Sequence, residues 1–357
     1  MGAGALATVG ARGRMTRRAF LRGAAAATLT GAAGLAVGDV VGRATASLPG
    51  VPPLRPGRVR EHWLQADSFP HDLVPSHGDV MDGMRFAPDQ TRYWAVGYRA
   101  YTPGWGSPLP GDTVSGPNTG IPGPVLRGEP GDVIRVHFRN NDTHYGFPHS
   151  IHPHGVDYAP TSDGSWMATE PDAAGTAVGV GQTYTYEWRV HADSVGTWPY
   201  HDHSVPQSLT GGDPVMELGA ELGLFGMIAI TDGSTPHADR ELCVFFHDLY
   251  KDDVPSLARD FDCFNGEAFV GNTPTFHARV GERVRWRVAA LGKEFHVFHI
   301  HGHRWRQGGQ DVDSAVVGPS TTLTVDYVEE DPGRWLYHCH VTDHMMGGMV
   351  GEYIVDR

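Results

Sequence analysis

Charge is scarce in this chain of 357 residues: Asp, Glu, Lys and Arg make up 19% of it, and the formal balance is −13. So acidic a protein lacks the basic footprint that nucleic-acid binding needs, and its field favours neutral or cationic small partners. No apolar run reaches the ~18 residues that cross a bilayer, so no membrane span is expected. Cysteine is scarcer still. Cys243, Cys263 and Cys339 are too few for a disulfide scaffold. Cys243 and Cys263 can pair with each other or be two small buried hydrophobes, and the sequence leaves both readings open.

Glycine (47) and proline (26) are abundant, which suits a turn-rich β protein better than a helical bundle. Nine Trp, twelve Tyr and fourteen Phe exclude the alternative explanation of such a composition, disorder. The length allows two or three domains. Histidine is the outlier, with 21 copies crowded into a few short clusters.

Residues 1–46 read as an address. Arg17 and Arg18 precede the small, apolar stretch Gly23–Gly38, and Ala44-Thr45-Ala46 offers a cleavage site. A twin-arginine signal carries folded cargo, so secretion or export to the cell envelope is expected, with Met15 an alternative start. Removing this segment takes away six arginines and Asp39, leaving a more acidic protein. Residues 47–59 read as a linker.

The rest of the chain repeats itself. Pro124–Val136 returns 150 residues later as Pro274–Trp286, each copy placing a Gly-acidic turn before an alternating run, the pattern of a hairpin entering a half-buried strand. His152-Pro153-His154-Gly155 returns as His299-Ile300-His301-Gly302, and Trp198-Pro199-Tyr200-His201-Asp202-His203 as Trp335-Leu336-Tyr337-His338-Cys339-His340. Three matches in one order imply two homologous β domains, 60–235 and 236–357, each a β-sandwich. Thr183–Val190, Met227–Thr231 and Thr321–Val328 read as strands; 159–181, 204–224 and 304–320 read as loops.

Residues i and i+2 of a strand share a face, so each His-x-His pair aims two imidazoles at one point, and four such pairs at equivalent positions imply metal. Imidazole alone does not choose among copper, zinc, iron and nickel. Cys339 chooses. With His344 five residues on, Met349 ten residues on and His296 from the partner loop, it supplies the two His, one Cys and weak axial Met of a blue-copper electron-transfer site. His338 and His340 flank Cys339 and point to the opposite face, so the backbone would join that site covalently to a second one.

These motifs resemble those of the multicopper oxidases, over essentially the whole chain after residue 46, and the two-domain layout resembles the small bacterial laccases. The resemblance implies an all-β fold of two cupredoxin-like β-sandwich domains. It implies four coppers per chain: type 1 at His296, Cys339, His344 and Met349; type 2 at His152 and His299; a type 3 pair at His154, His201, His203, His301, His338 and His340. It also implies that Tyr158 lies near the cluster and that Asp163 relays protons there. In the repeat, Cys339 aligns with Asp202, His344 with Gln207, Met349 with Gly212 and His296 with His149, so the first domain should carry no type 1 copper and His149 should be structural. Because each domain supplies four histidines, the cluster should form where a first domain meets a second, in the family between neighbouring chains of a homotrimer.

The function so implied is laccase-like: one-electron oxidation of phenols or aromatic amines, with dioxygen reduced to water. An axial methionine predicts a modest potential and electron-rich reductants. A metallo-oxidase acting on Cu(I) or Mn(II) ranks second, because 304–320 has Asp311 and Asp313 but no methionines. A copper nitrite reductase shares the fold but needs no histidine on both sides of the cysteine. A non-catalytic copper-binding protein would have no use for two linked sites.

Overall fold

The computed structural model describes residues 57–357, so the twin-arginine segment and nearly all of the 47–59 linker lie outside the described residues. In the first repeat, a five-stranded sheet runs in the order Arg92–Tyr101, Val59–Asp72, Val133–Asn141, Thr183–Arg189, Asp157–Tyr158. It faces a four-stranded sheet ordered Val125–Gly128, Phe225–Ile230, Gly196–His201, His152–Pro153. Leu64, Ile134, Phe138 and Trp188 from the first sheet and Leu126, Tyr200 and Ile228 from the second share one core. The second repeat builds the same pair: Phe261–Phe264, Arg240–Leu249, Arg283–Leu291, Thr322–Val328 against Phe276–Arg279, Val350–Asp356, Gly333–Cys339, His296–Ile300, Ser314–Val317. Trp286, Val288 and Val325 meet Phe298, Tyr337 and Tyr353 in its core. The fold is all-β with cupredoxin-like sandwiches; α-helix among the described residues is confined to Leu218–Leu222 and Thr342–Gly347.

Alternation explains why the strands form. Along Val133–Asn141, Ile134, Val136, Phe138 and Asn140 point inward while their neighbours are partly exposed. The equivalent strand Arg283–Leu291 is buried on both faces. Its sheet is sandwiched: one face fills its own core, while Cys243, Phe245, Leu249, Ala289 and Leu291 on the other face join the core of the first repeat. Arg285 and Arg287 are buried at this contact: Arg285 pairs with Asp326 at 2.9 Å, and Arg287 pairs with Glu241 at 2.7 Å and donates to Thr197 Oγ1 at 2.8 Å.

Three sequence expectations need correction. The Gly-acidic turns are not hairpins. Val125–Gly128 pairs with Phe225–Ile230 whereas Val133–Asn141 pairs with Val59–Asp72, so the turn crosses from one sheet to the other, and the second repeat does the same. Segment 304–320 is not a loop. Trp305–Gln307 and Gln310–Val312 form a hairpin around Gly308 and Gly309, both at positive φ as a type I′ turn requires, and Ser314–Val317 edges the main sheet. Segment 204–224 is not all loop, because Leu218–Leu222 forms a short α-helix buried throughout. Cys243 and Cys263 are both buried and free.

Candidate metal centre

Strand Gly333–Cys339 and strand His296–Ile300 lie side by side, with Phe298 opposite Cys339 and His299 opposite His338. This register turns His296 toward Cys339 and sends His299 and His338 to the other face. The short helix Thr342–Gly347 then returns His344 to the sulfur. His296 Nδ1 and His344 Nδ1 are 3.1 Å apart, and Cys339 Sγ lies 3.9 and 3.7 Å from them, separations that let one ion touch all three. Burial alone would push the Cys339 thiol up, but the two imidazoles outweigh it and draw it down to about 6, favouring thiolate. Met349 is fully buried in the same core, and its carbonyl accepts from Cys339 N–H at 3.0 Å.

On the opposite face, two histidine quartets repeat one geometry. His152 donates from Nδ1 to Asp163 O at 2.7 Å, and His299 from Nδ1 to Asp313 O at 2.7 Å. His201 donates from Nδ1 to Asp202 O at 3.0 Å, and His338 to Cys339 O at 2.8 Å. A ring whose Nδ1–H is tied to a carbonyl presents Nε2 as a bare acceptor, the form that ligates metal. Two of these atoms meet a further imidazole: His154 Nε2 lies 3.1 Å from His201 Nε2, and His301 Nε2 lies 3.0 Å from His338 Nε2. Burial, with help from neighbouring imidazoles, pushes His201 down to about 3 and His154 and His338 to about 4. Rings of His203 and His340 pack 5.2 Å from those of His152 and His299. Among the described residues no ring contact joins one quartet to the other.

The glycine ending each His-x-His-Gly motif has a physical role. Gly155 and Gly302 sit at φ +70° and +75°, and a Cβ there would lie 2.0 and 2.8 Å from the rings of Trp198 and Trp335. Each tryptophan thus packs against the loop that presents the histidines. Tyr158 and Asp163 both gather at His152: the tyrosine ring is 5.9 Å from it, and Asp163 Oδ1 is 3.3 Å from Nδ1.

At the first-repeat position equivalent to the sulfur site, His149 Nδ1 meets Asp202 Oδ2 at 2.8 Å and Nε2 meets Asp142 Oδ2 at 3.3 Å, all three residues being buried. Burial opposes the charge, but the two carboxylates outweigh it and raise His149 to about 9. Sequence reading missed Asp142 and Asp248; the latter places Oδ2 3.4 Å from His296 Nε2. It also missed the supports of the quartets, Ser165, 3.2 Å from His152 Nδ1, and Ser314, 3.0 Å from His299 Nδ1. The matching serines of the two repeats were the available signal.

Two multicopper oxidase family models match this chain, one over residues 102–234 and the other over 248–357, together more than half of it. The chain belongs to the multicopper oxidases. Among curated relatives, this oxidase is 31% identical to a probable nitrite reductase-hydroxylamine oxidoreductase fusion protein of Kuenenia stuttgartiensis, over 71% of this chain. It is 29% identical to the human ferroxidase HEPHL1 over 84% of this chain. The chain spans 29% of the length of each. A crystal structure of a multicopper oxidase superposes with a TM-score of 0.61 at 21% identity, covering 84% of this chain and 89% of that one, a likeness of fold. Membership implies copper, and the donor set fits it: thiolate with two imidazoles on one face, closely paired imidazole Nε2 atoms on the other.

Proposed function

We propose that this multicopper oxidase works as a laccase-like enzyme, taking single electrons from a small phenol or aromatic amine and delivering them to dioxygen. The observation that carries this reading is the placement of Cys339 between His338 and His340: its sulfur faces His296 and His344, and its neighbours face His299 and His301. Copper, when bound, supplies the one-electron chemistry. The chain's own residues do the rest. Cys339 and His344, with His296 and the buried Met349, would hold the type 1 ion, and the partly exposed His344 offers its ring edge to the reductant. The backbone from Cys339 to its two neighbours is the covalent route inward.

His152 and His299 would hold the type 2 ion and the other six histidines the type 3 pair, four coppers per chain in all. The absence of any ring contact between the quartets within the described chain supports a cluster completed between chains, as in a homotrimer. Asp163 would orient His152 and hold water near it, with Tyr158 alongside. An exported, copper-loaded protein is consistent with the twin-arginine segment.

A second reading, oxidation of a metal ion, is favoured by the ferroxidase relative and by two carboxylates at the type 1 edge, Asp262, whose Oδ2 is next to Gly347, and exposed Asp343. Oxygen uptake by the copper-loaded protein decides between them. Rapid uptake with a methoxyphenol and no peroxide released supports the laccase-like reading. Uptake with Fe(II), Cu(I) or Mn(II) alone moves the assignment to a metallo-oxidase, and uptake with none of them overturns the enzyme reading.

A further inference from the structure

Behind the first histidine quartet, a cavity of about 40 Å³ lies between the two repeats, its lining including His201, Glu217, Glu221, His247, Asp248, Tyr250, Lys293 and Ser320. Glu217, His201 and Ser320 also line the 140 Å³ hollow in front of His152, His154 and His203, so the two spaces adjoin. Three side chains on the inner cavity are at least 95% buried and carry an atom without a hydrogen-bond partner: Glu221 Oε2, His247 Nδ1 and Asp248 Oδ1. His247 donates from Nε2 to Glu221 O at 2.8 Å, so its Nδ1 is a bare acceptor. Burying three such atoms dry is costly, and a space of this size with several polar partners holds water. It does not suit a metal ion, because among the described residues the only three-ligand groups with atoms mutually within 4.8 Å are those at Cys339 and at His299.

We infer that this cavity is a hydrated proton route to the histidine quartet that would hold the oxygen-reducing coppers and that Glu221 is its proton-carrying residue. The inference rests on the oxidase reading above. Reduction of one dioxygen to two waters takes four electrons and four protons, and the reductant site on the far side of Cys339 supplies only the electrons. Glu221 Oε2–H gives its proton to a cavity water, which passes it along Glu217 and Ser320 to the quartet. The carboxylate is reprotonated from the solvent side, where Lys293 Nζ lies 3.7 Å from Glu221 Oε2 and 2.6 Å from Asp253 Oδ2. Glu221 Oε1 is anchored by Tyr250 N–H at 2.7 Å, which leaves Oε2 to carry the proton. Ser320, at the junction of the two spaces, is held at φ +56°, a conformation serine rarely adopts.

The groups facing Glu221 are Glu217 at the start of its helix, His247, Asp248 and Tyr250 on the neighbouring strand and its end, Asp253 and Lys293 on the flanking loops, Tyr93 on strand Arg92–Tyr101, and His201 across the cavity. Burial is the largest influence and pushes the acid up to about 8, against the opposing pull of the Tyr250 N–H and of Lys293.

The test compares wild type with Glu221→Gln and Glu221→Asp. In copper-free protein near neutral pH, infrared spectroscopy should show the carbonyl band of a protonated, buried carboxyl that is lost in Glu221→Gln. In copper-loaded protein at saturating reductant, Glu221→Gln should slow oxygen consumption by about tenfold or more with reductant KM and copper content unchanged, and should lose the alkaline limb near pH 8. Glu221→Asp should restore part of the rate. A missing wild-type band, or a folded, copper-replete Glu221→Gln with normal rate and pH profile, overturns the relay. Wild type that consumes no oxygen with any reductant overturns the relay and the oxidase reading together, whereas normal uptake in both proteins overturns the relay alone.

Discussion

His149 and Asp202 hold each other at 2.8 Å where, in the second repeat, His296 faces Cys339 at 3.9 Å. One position in the repeat thus has two solutions. A histidine with a thiolate leaves room for a cation; a histidine with a carboxylate closes on itself and carries the positive charge internally, with Asp142 as its second counter-ion.

Asp202→Asn should therefore destabilise the fold by about 3–5 kcal/mol, the usual cost of breaking a buried pair from one side. The pH dependence has a definite sign. His149 keeps its proton up to about 9 in the folded protein but only to about 6.5 when unfolded, so the pair's contribution is complete below 6.5 and is lost as pH rises to 9. Urea unfolding of copper-free protein at pH 6 and pH 9 should show this decline in wild type and a flatter profile in Asp202→Asn; identical slopes would refute it.

Cys339→Ser removes the thiolate but leaves His299, His301, His338 and His340 in place. The protein should lose its blue absorption and about one copper per chain, and phenol-driven oxygen uptake should fall to background. Metal analysis with visible spectroscopy checks this; full copper content with retained colour would contradict the assignment.

Gly155→Ala introduces a Cβ at φ +70° against the Trp198 ring. The expected cost is about 1–3 kcal/mol, with copper lost first from the opposite-face cluster rather than from the blue site. Thermal melting together with separate quantification of the two copper populations distinguishes this from general loosening.

Asp163→Ala keeps the backbone carbonyl that receives His152 Nδ1–H but deletes the carboxylate 3.3 Å away. Oxygen turnover should drop about 10–100-fold while the blue spectrum is unchanged. Equal turnover in variant and wild type would leave Asp163 as turn chemistry only.

Much of the site was legible because strand periodicity converts His-x-His and His-Cys-His directly into two faces. His344 was picked out by spacing, and its ring does reach the sulfur of Cys339. The carboxylates were not legible. Asp248 is 48 residues from His296, and Asp142 approaches His149 only through a loop closure, so nothing local marks either. Glu221 is equally silent in sequence, a short-helix residue whose burial depends on strand Arg240–Leu249 packing across from the other repeat.

By itself the sequence determined that two related β domains exist, which faces their histidines share, and that only the second can offer a thiolate. The periods of strand and repeat are local properties, written in neighbouring residues. Only the tertiary structure decided that the Gly-acidic turns cross between sheets, that strand Arg283–Leu291 is buried on both faces, and that three side chains with an atom lacking a hydrogen-bond partner line a cavity beside His201. Those outcomes depend on which distant surfaces exclude water from one another, and that is a property of packing rather than of pattern.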